Sequence, residues 1–233
     1  MKKILAVITA RGGSKRIPRK NIKEFCGKPI IAYSIEAAIK SDMFEEVMVS
    51  TDDKEIVEVA KAYGASVPFI RSEKTSDDYA TTSDVILEVL ERYKEMGKTF
   101  DYICCVYPTA PFVTAEKLQK AVKLMEENNP VGIIPVIPFS YPPQRCFVID
   151  ENNNMQYKYR EYVQARSQDL EKQYHDAGQF YVYHTEKYLA SKGKIIDGIM
   201  PMILSEMEVQ DIDNEEDWKL AELKYRLMKE HNS

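Results

Sequence analysis

Short apolar runs alternate along most of this chain with stretches whose apolar residues recur every three or four positions. No other feature constrains the fold as tightly. A strand followed by a helix cannot return as a hairpin, so successive strands cross over and lie parallel, with helices covering the sheet. KILAVIT (3–9) reads as the first strand, and its unbroken apolar character suits burial on both faces. Pro29 opens a helix reaching Ser41, with Ile31, Ile35, Ala38 and Ile39 on one side. EVMVS (46–50) is a second strand, after which Asp52 or Asp53 caps a helix that stops at Gly64. VPFI (67–70) is a short strand, SDVILEVLERYKEM (83–96) a helix ended by Gly97, and YICCV (102–106) a buried strand. Thr114 begins a helix to about Asn128, and GIIPVIPF (132–139) follows as a strand whose prolines place it at an edge or leaving the sheet. From Ser140 the rhythm breaks into an irregular stretch and a hairpin around Asn152–Asn154, until QFYVY after Gly178 resumes a strand. Residues 139–177 therefore form an inserted lobe of a single domain spanning 1–233. MPMIL (200–204), an acidic turn and a long helix from Asn214 close the chain.

Charge and cysteines narrow the class. Acidic residues outnumber basic ones 37 to 32, a net charge of −5, which disfavours a nucleic acid partner that would want a basic face. No apolar run is long enough for a membrane helix, and the opening MKKILAVITARGG reads better as a buried strand than as a signal peptide. Cys26, Cys104, Cys105 and Cys146 have no metal-ligand spacing, so they are expected as reduced thiols in a cytoplasmic protein.

Three segments carry chemistry. The first, ARGGSKRIPRKN (10–21), follows the first strand and holds Arg11, Lys15, Arg16, Arg19 and Lys20 beside Gly12, Gly13 and Ser14. Glycines let backbone N–H groups turn inward as an anion nest, and the cations answer several negative charges. At the carboxyl end of a strand, such a loop suits a compact polyanion such as a triphosphate. It is neither a Walker A nor a Gly-x-Gly-x-x-Gly sequence, so a nicotinamide-dependent oxidoreductase is disfavoured. Asp52 could mimic the ribose-binding acid of such folds, although a helix cap explains it more simply. In the second segment, VQDIDNEED, Asp211 and Asp213 flank Ile212; in extended backbone both carboxylates face one side and suit Mg²⁺. The third, RSQDLEKQYHDAGQFY (166–181), sets Arg166, Gln168, Asp169, His175 and Asp176 among Tyr174 and Tyr181. Arginine grips a planar carboxylate with two bonds, and a histidine beside carboxylates is a candidate base or sugar contact.

These segments, with VSTDD, RSEKTSDDYATTSDV and YPTAPF between them, resemble the CMP-sialic acid synthetase family of nonulosonic acid cytidylyltransferases over nearly the whole chain. SQDL-x-K-x-YHDAGQFY is most similar to the branch acting on pseudaminic acid. The resemblance implies a Rossmann-like nucleotidyltransferase sheet, mostly parallel with helices on both faces, and a lobe exchanged between the subunits of a homodimer. It implies CTP and a nonulosonic acid sugar as substrates and Mg²⁺ as cofactor, the CMP-sugar serving surface glycan or flagellin glycosylation. Lys20, Arg11, Asp211 and Asp213 would be catalytic, with Asp211 and Asp213 on the metal. Ala10, Arg11, Gly12, Gly13, Ser14, Lys15, Lys20, Asn21, Arg71 and Thr82 would hold the nucleotide, Arg71 and Thr82 against cytosine. Tyr107, Arg166, Gln168, Asp169, Tyr174, His175 and Asp176 would meet the sugar.

Sialic acid enzymes commonly read Arg-Arg-Gln-Asp, Asn-Gly and Gln-Pro-Thr-Ser-Pro at three positions. Here these are Arg166-Ser167-Gln168-Asp169, Ala177-Gly178 and Tyr107-Pro108-Thr109-Ala110-Pro111, which moves the expected sugar away from sialate. Octulosonate enzymes usually continue the basic loop as Lys-Pro-Leu instead of Lys20-Asn21. The rivals are a cytidylyltransferase for legionaminic or N-acetylneuraminic acid and a nucleotide-binding protein without catalysis. Retention of Lys20, Asp211 and Asp213 argues against the second.

Overall fold

A computed structural model describes residues 2–231. Strands β1 (Ile4–Thr9), the two-residue β2 (Glu24–Phe25) and β3 (Lys28–Pro29), and β4 (Glu46–Ser50) occupy the first part of the chain. Helices α1 (Ile30–Ser41), α2 (Lys54–Ala62) and α3 (Thr82–Glu95) accompany them. Then follow β5 (Tyr102–Val106), α4 (Ala115–Asn128), β6 (Gly132–Pro138), the hairpin β7 (Phe147–Ile149) and β8 (Met155–Tyr157), and β9 (Tyr174–Asp176). β10 (Phe180–His184), α5 (Thr185–Ala190), β11 (Ile199–Ile203) and α6 (Glu215–His231) complete the chain. No helix among the described residues is long and apolar enough to cross a membrane.

The main sheet has the order β11-β6-β10-β5-β1-β4, with β9 also pairing β6. β11, β6, β5, β1 and β4 run parallel to one another; β10 and β9 run against them. The two-residue alternation of the central strands assigns each side chain to a layer. Ile4, Ala6 and Ile8 of β1 face α1, α2 and α4, whereas Leu5 and Val7 face α3 and α5. Helices thus cover both faces, as the alternation implies. A third cluster, with Phe25, Tyr33, Phe112, Ile212 and Trp218, fastens α6 under the loops at the carboxyl end of the sheet.

Two expectations need correction. VPFI (67–70) is not a strand: its neighbour Ser66 makes one bridge to Met48 of β4, and Pro68 has no N–H to extend the pairing. β6 is not an edge despite its prolines. It lies between β11 and β10, and Pro135 falls where its other neighbour changes from β10 to β9, so the missing donor interrupts no ladder. Residues 139–177, set apart in the sequence as a lobe, leave the sheet after β6, form the β7–β8 hairpin and return through β9.

Candidate active site

The basic loop leaves β1 at Ala10, whose N–H donates to the Ser50 carbonyl at 2.9 Å, so the loop starts between the carboxyl ends of β1 and β4. Gly12 passes close to the start of α2: its N–H donates to Asp52 Oδ1 at 2.9 Å, and a Cβ there would meet Asp53 Oδ2 at 2.7 Å. Any side chain at this point would lift the loop. Asn21, 7% exposed, donates from Nδ2 to the Arg11 carbonyl at 2.9 Å and fixes the far end of the loop to its beginning.

The fold sorts the five loop cations. Arg11, Lys15, Arg16 and Lys20 line one cavity of about 370 Å³ with Thr9, Ser14, Asn21, Pro108 and Thr109. Arg19 turns away, taking a left-handed backbone (φ 55°) and pairing with Asp53 and Glu55. Asp53 also caps α2 by accepting from the Glu55 and Ile56 N–H groups, and the Arg19 guanidinium holds its carboxyl down at about 2. Asp53 is therefore the cap, while Asp52 serves Gly12. Within the cavity wall Arg11 Nη1 donates to the Asp77 carbonyl and to Asp78 Oδ1, both at 3.0 Å, and Lys15 also pairs with Asp78. Gly12, Gly13, Arg11 and Ser14 extend into an adjoining surface hollow closed by Asp77, Asp78 and Tyr79.

The acidic strap before α6 forms the opposite wall. Lys20 Nζ donates to the Ile212 carbonyl at 2.7 Å, and Arg16 pairs with Asp213 at 2.8 Å. Burial lowers the Lys20 pKa against the opposing pull of Asp213 and Asp211, whose carboxylates both act on its ammonium. Asp211 is exposed on a neighbouring cavity and Asp213, half-exposed, pairs with Arg16 of the first; one or two such accessible carboxylates are what Mg²⁺ takes, filling its shell with water and phosphate oxygens. No group of three or more His, Cys, Asp or Glu side chains among the described residues makes a closed cage. Lys224 donates to the Glu206 and Val209 carbonyls at 3.2 and 3.0 Å, and Gln179 donates to the Glu208 carbonyl at 2.6 Å. Buried Lys117 of α4 pairs with Glu208 at 3.1 Å and donates to the Phe112 carbonyl at 3.0 Å. It thereby joins the strap to the Tyr107–Phe112 segment.

A second cavity, about 520 Å³, lies beyond that segment and shares Asp211 with the strap. Tyr107, His175, Asp176, Ala177, Gly178, Tyr181, Glu206, Gln210 and Lys224 contribute to its lining. Asp176 is held by the Tyr181 hydroxyl at 2.8 Å and the Gly178 N–H at 2.7 Å. His175 packs on Phe139, with ring centroids 4.8 Å apart. Two of the three departures from the sialic acid pattern, Tyr107 and Ala177–Gly178, border this cavity.

The remaining candidates lie elsewhere in the single chain. Arg166 closes its fork on Asp169 at 2.6 and 3.0 Å, and neither they nor Gln168 or Tyr174 line the cavity. Arg71 is buried, bonded to Ser50, and pushed down to about 10 by burial; it borders neither cavity, and neither does Thr82, the first residue of α3. Lys224, Glu206 and Gln210 line the second cavity although sequence reasoning did not single them out. A helical lysine or a strap glutamate has no local motif to single it out. A larger groove of about 840 Å³, between the β2–β3 turn and α6, contains none of the candidate residues.

The chain is similar to known proteins over most of its length. A family model described as cytidylyltransferase matches residues 5–224. The pseudaminic acid cytidylyltransferase of Campylobacter jejuni subsp. jejuni serotype O:2 is 41% identical over 225 residues, 97% of each chain. The CMP-N,N'-diacetyllegionaminic acid synthase of Legionella pneumophila is 36% identical over 228 residues, 94% of this chain and 95% of its own. Among solved structures, a CMP:2-keto-3-deoxy-manno-octonic acid synthetase complexed with CTP aligns with a TM-score of 0.70, covering 98% of this chain and 99% of its own. At 18% identity it speaks for the fold alone.

Proposed function

The chain belongs to the cytidylyltransferase family, and we propose from that premise that it transfers CMP from CTP to the anomeric hydroxyl of pseudaminic acid, releasing pyrophosphate. The observation that carries this reading is the pair of adjoining cavities. Four cations and a serine surround the first; carboxylates, a histidine and tyrosines surround the second; the Tyr107–Thr109 segment and the acidic strap lie between them. A triphosphate suits the first and a hydroxyl-rich sugar the second.

The hydroxyl oxygen forms a bond to the α-phosphorus, the α–β phosphoanhydride bond breaks, and the single hydroxyl proton passes to Asp176, a carboxylate of the sugar cavity not assigned to the metal. No protein nucleophile is needed, so catalysis consists of alignment and charge neutralisation. Arg11, Lys15, Arg16 and Lys20 would supply positive charge to the phosphates from the loop side. Asp211 and Asp213 would hold Mg²⁺, which supplies further charge neutralisation on the phosphate oxygens. A cytoplasmic setting, where CTP is available, accords with four free cysteines. A homodimer would place the lobe hairpin, with exposed Phe147, Val148, Ile149 and Met155, against a second copy.

The test is pyrophosphate release with CTP and MgCl₂ against pseudaminic, legionaminic, N-acetylneuraminic and octulosonic acids. Release with pseudaminate, lost in Asp211→Ala, supports the reading. Preference for legionaminate or N-acetylneuraminate moves the substrate, and CTP binding without turnover of any acid sinks the enzymatic reading.

A further inference from the structure

The sugar cavity has the wrong charge for the substrate proposed above. Asp176, Glu206 and Asp211 line it, and a nonulosonic acid brings another carboxylate. That carboxylate sits on the carbon bearing the attacking hydroxyl, so whatever fixes it also fixes the direction of attack. Arg166, the cation the sequence offers for this task, is closed on Asp169 and lies outside the cavity. The lining contains one lysine or arginine, Lys224 on α6.

Lys224, like Lys20 of the first cavity, is held by backbone carbonyls in place of a carboxylate, and it is the one that lines the sugar cavity. Its ammonium donates to two carbonyl oxygens, those of Glu206 at 3.2 Å and Val209 at 3.0 Å. It enters no ion pair among the described residues, in contrast to Arg11, Lys15 and Arg16, each matched to a carboxylate. Neutral carbonyls orient an ammonium without cancelling its charge, and two such bonds leave one N–H of three to donate. The side chain is half-buried, where a charge is screened less than in open water.

We infer that Lys224 is the anchor for the carboxylate of the acceptor sugar, an assignment that rests on the function proposed above. The free N–H donates to one carboxylate oxygen, and the 206–209 carbonyls hold the ammonium in place. Acid sugars are thereby selected over neutral ones by a residue outside the three chemistry-bearing segments.

The test compares pseudaminic acid with its C1 carboxamide, using pyrophosphate release in wild type, Lys224→Met, Lys224→Gln and Lys224→Arg, each checked for folding by circular dichroism. Wild type is expected to favour the acid roughly 10- to 100-fold in kcat/KM, the size of one charge-assisted hydrogen bond. Lys224→Met and Lys224→Gln should bring that ratio near one while the KM for CTP stays within about twofold, and Lys224→Arg should keep part of it. If the preference survives in both neutral variants, the anchor is overturned and the cation lies elsewhere, as on a second copy's lobe. Equal losses on acid and carboxamide also overturn it, reducing Lys224 to a brace for the strap. Wild-type turnover of both at equal efficiency rejects the anchor alone. A wild type inert toward both rejects the functional reading, and the anchor with it.

Discussion

Drawing a lysine out of water loosens its hold on its proton, and Lys20 is drawn out of water in the cavity proposed above for the triphosphate. Activity is therefore expected to fall on the alkaline side below the 10.5 of an ordinary lysine, as Lys20 becomes neutral. Lys20→Arg should move that limb upward, and Lys20→Met should cost about 10²–10³ in kcat; pH profiles of kcat/KM for the three proteins check both. Asp78 acts in the opposite sense. Bridging Arg11 and Lys15, it competes with a polyphosphate for the same cations. Asp78→Asn is expected to lower the KM for CTP by roughly two- to fivefold, since exposed ion pairs are weak, and isothermal titration with CTP would show an unchanged or weaker affinity if the competition is absent. At this scale the cationic loop was legible because its residues are contiguous. The sorting of Arg19 away from Lys20 was not: it depends on the acids that end β4 and open α2, which adjoin the loop only after folding.

Helix α2 shows how one carboxylate serves two elements. Asp53 caps the helix and binds Arg19, and its carboxyl is held at about 2 against the usual 3.8. A carboxyl lowered in the folded state stabilises fully above the unfolded value and ceases to do so as pH falls through the folded one. Asp53→Ala should cost about 1–3 kcal/mol at neutral pH, cap and ion pair together, and the gap from wild type should narrow as pH drops from 3.8 toward 2. Urea unfolding at both ends of that window measures it. Lys117 makes the comparable link between α4 and the acidic strap. Because Glu208 remains 40% exposed, Lys117→Met should cost only about 1–3 kcal/mol, less than breaking a fully buried pair. A kcat loss with unchanged KM for CTP would locate the damage in the strap. The elements themselves were largely legible, since capping residues such as Thr114 and Asn214 stand beside periodic apolar runs. β9 escaped notice because YHD has no strand character of its own; it is a strand only because β6 extends beyond β10 and offers it an edge.

For the whole molecule, the lobe and the sheet order matter most. The hairpin β7–β8 exposes Phe147, Val148, Ile149 and Met155 at 45–69% of their surfaces, a cluster expected to be covered by a second copy. Phe147→Lys with Ile149→Lys should shift sedimentation from dimer to monomer and lower activity together; a wild type that sediments as a monomer would refute the arrangement. The alternation of strand and helix disclosed the parallel sheet, but no local pattern could reveal that β10 inserts backwards between β5 and β6. That insertion sets a timetable for the chain during synthesis. β4, β1 and β5 can associate once residue 106 has emerged, but β6 pairs only with β9, β10 and β11, all made after it. A nascent chain ending near residue 140 therefore carries a finished apolar strand with no neighbour. The acidic strap, the last wall of the cleft, is made later still, so the protein cannot handle its substrates before nearly all of it has left the ribosome.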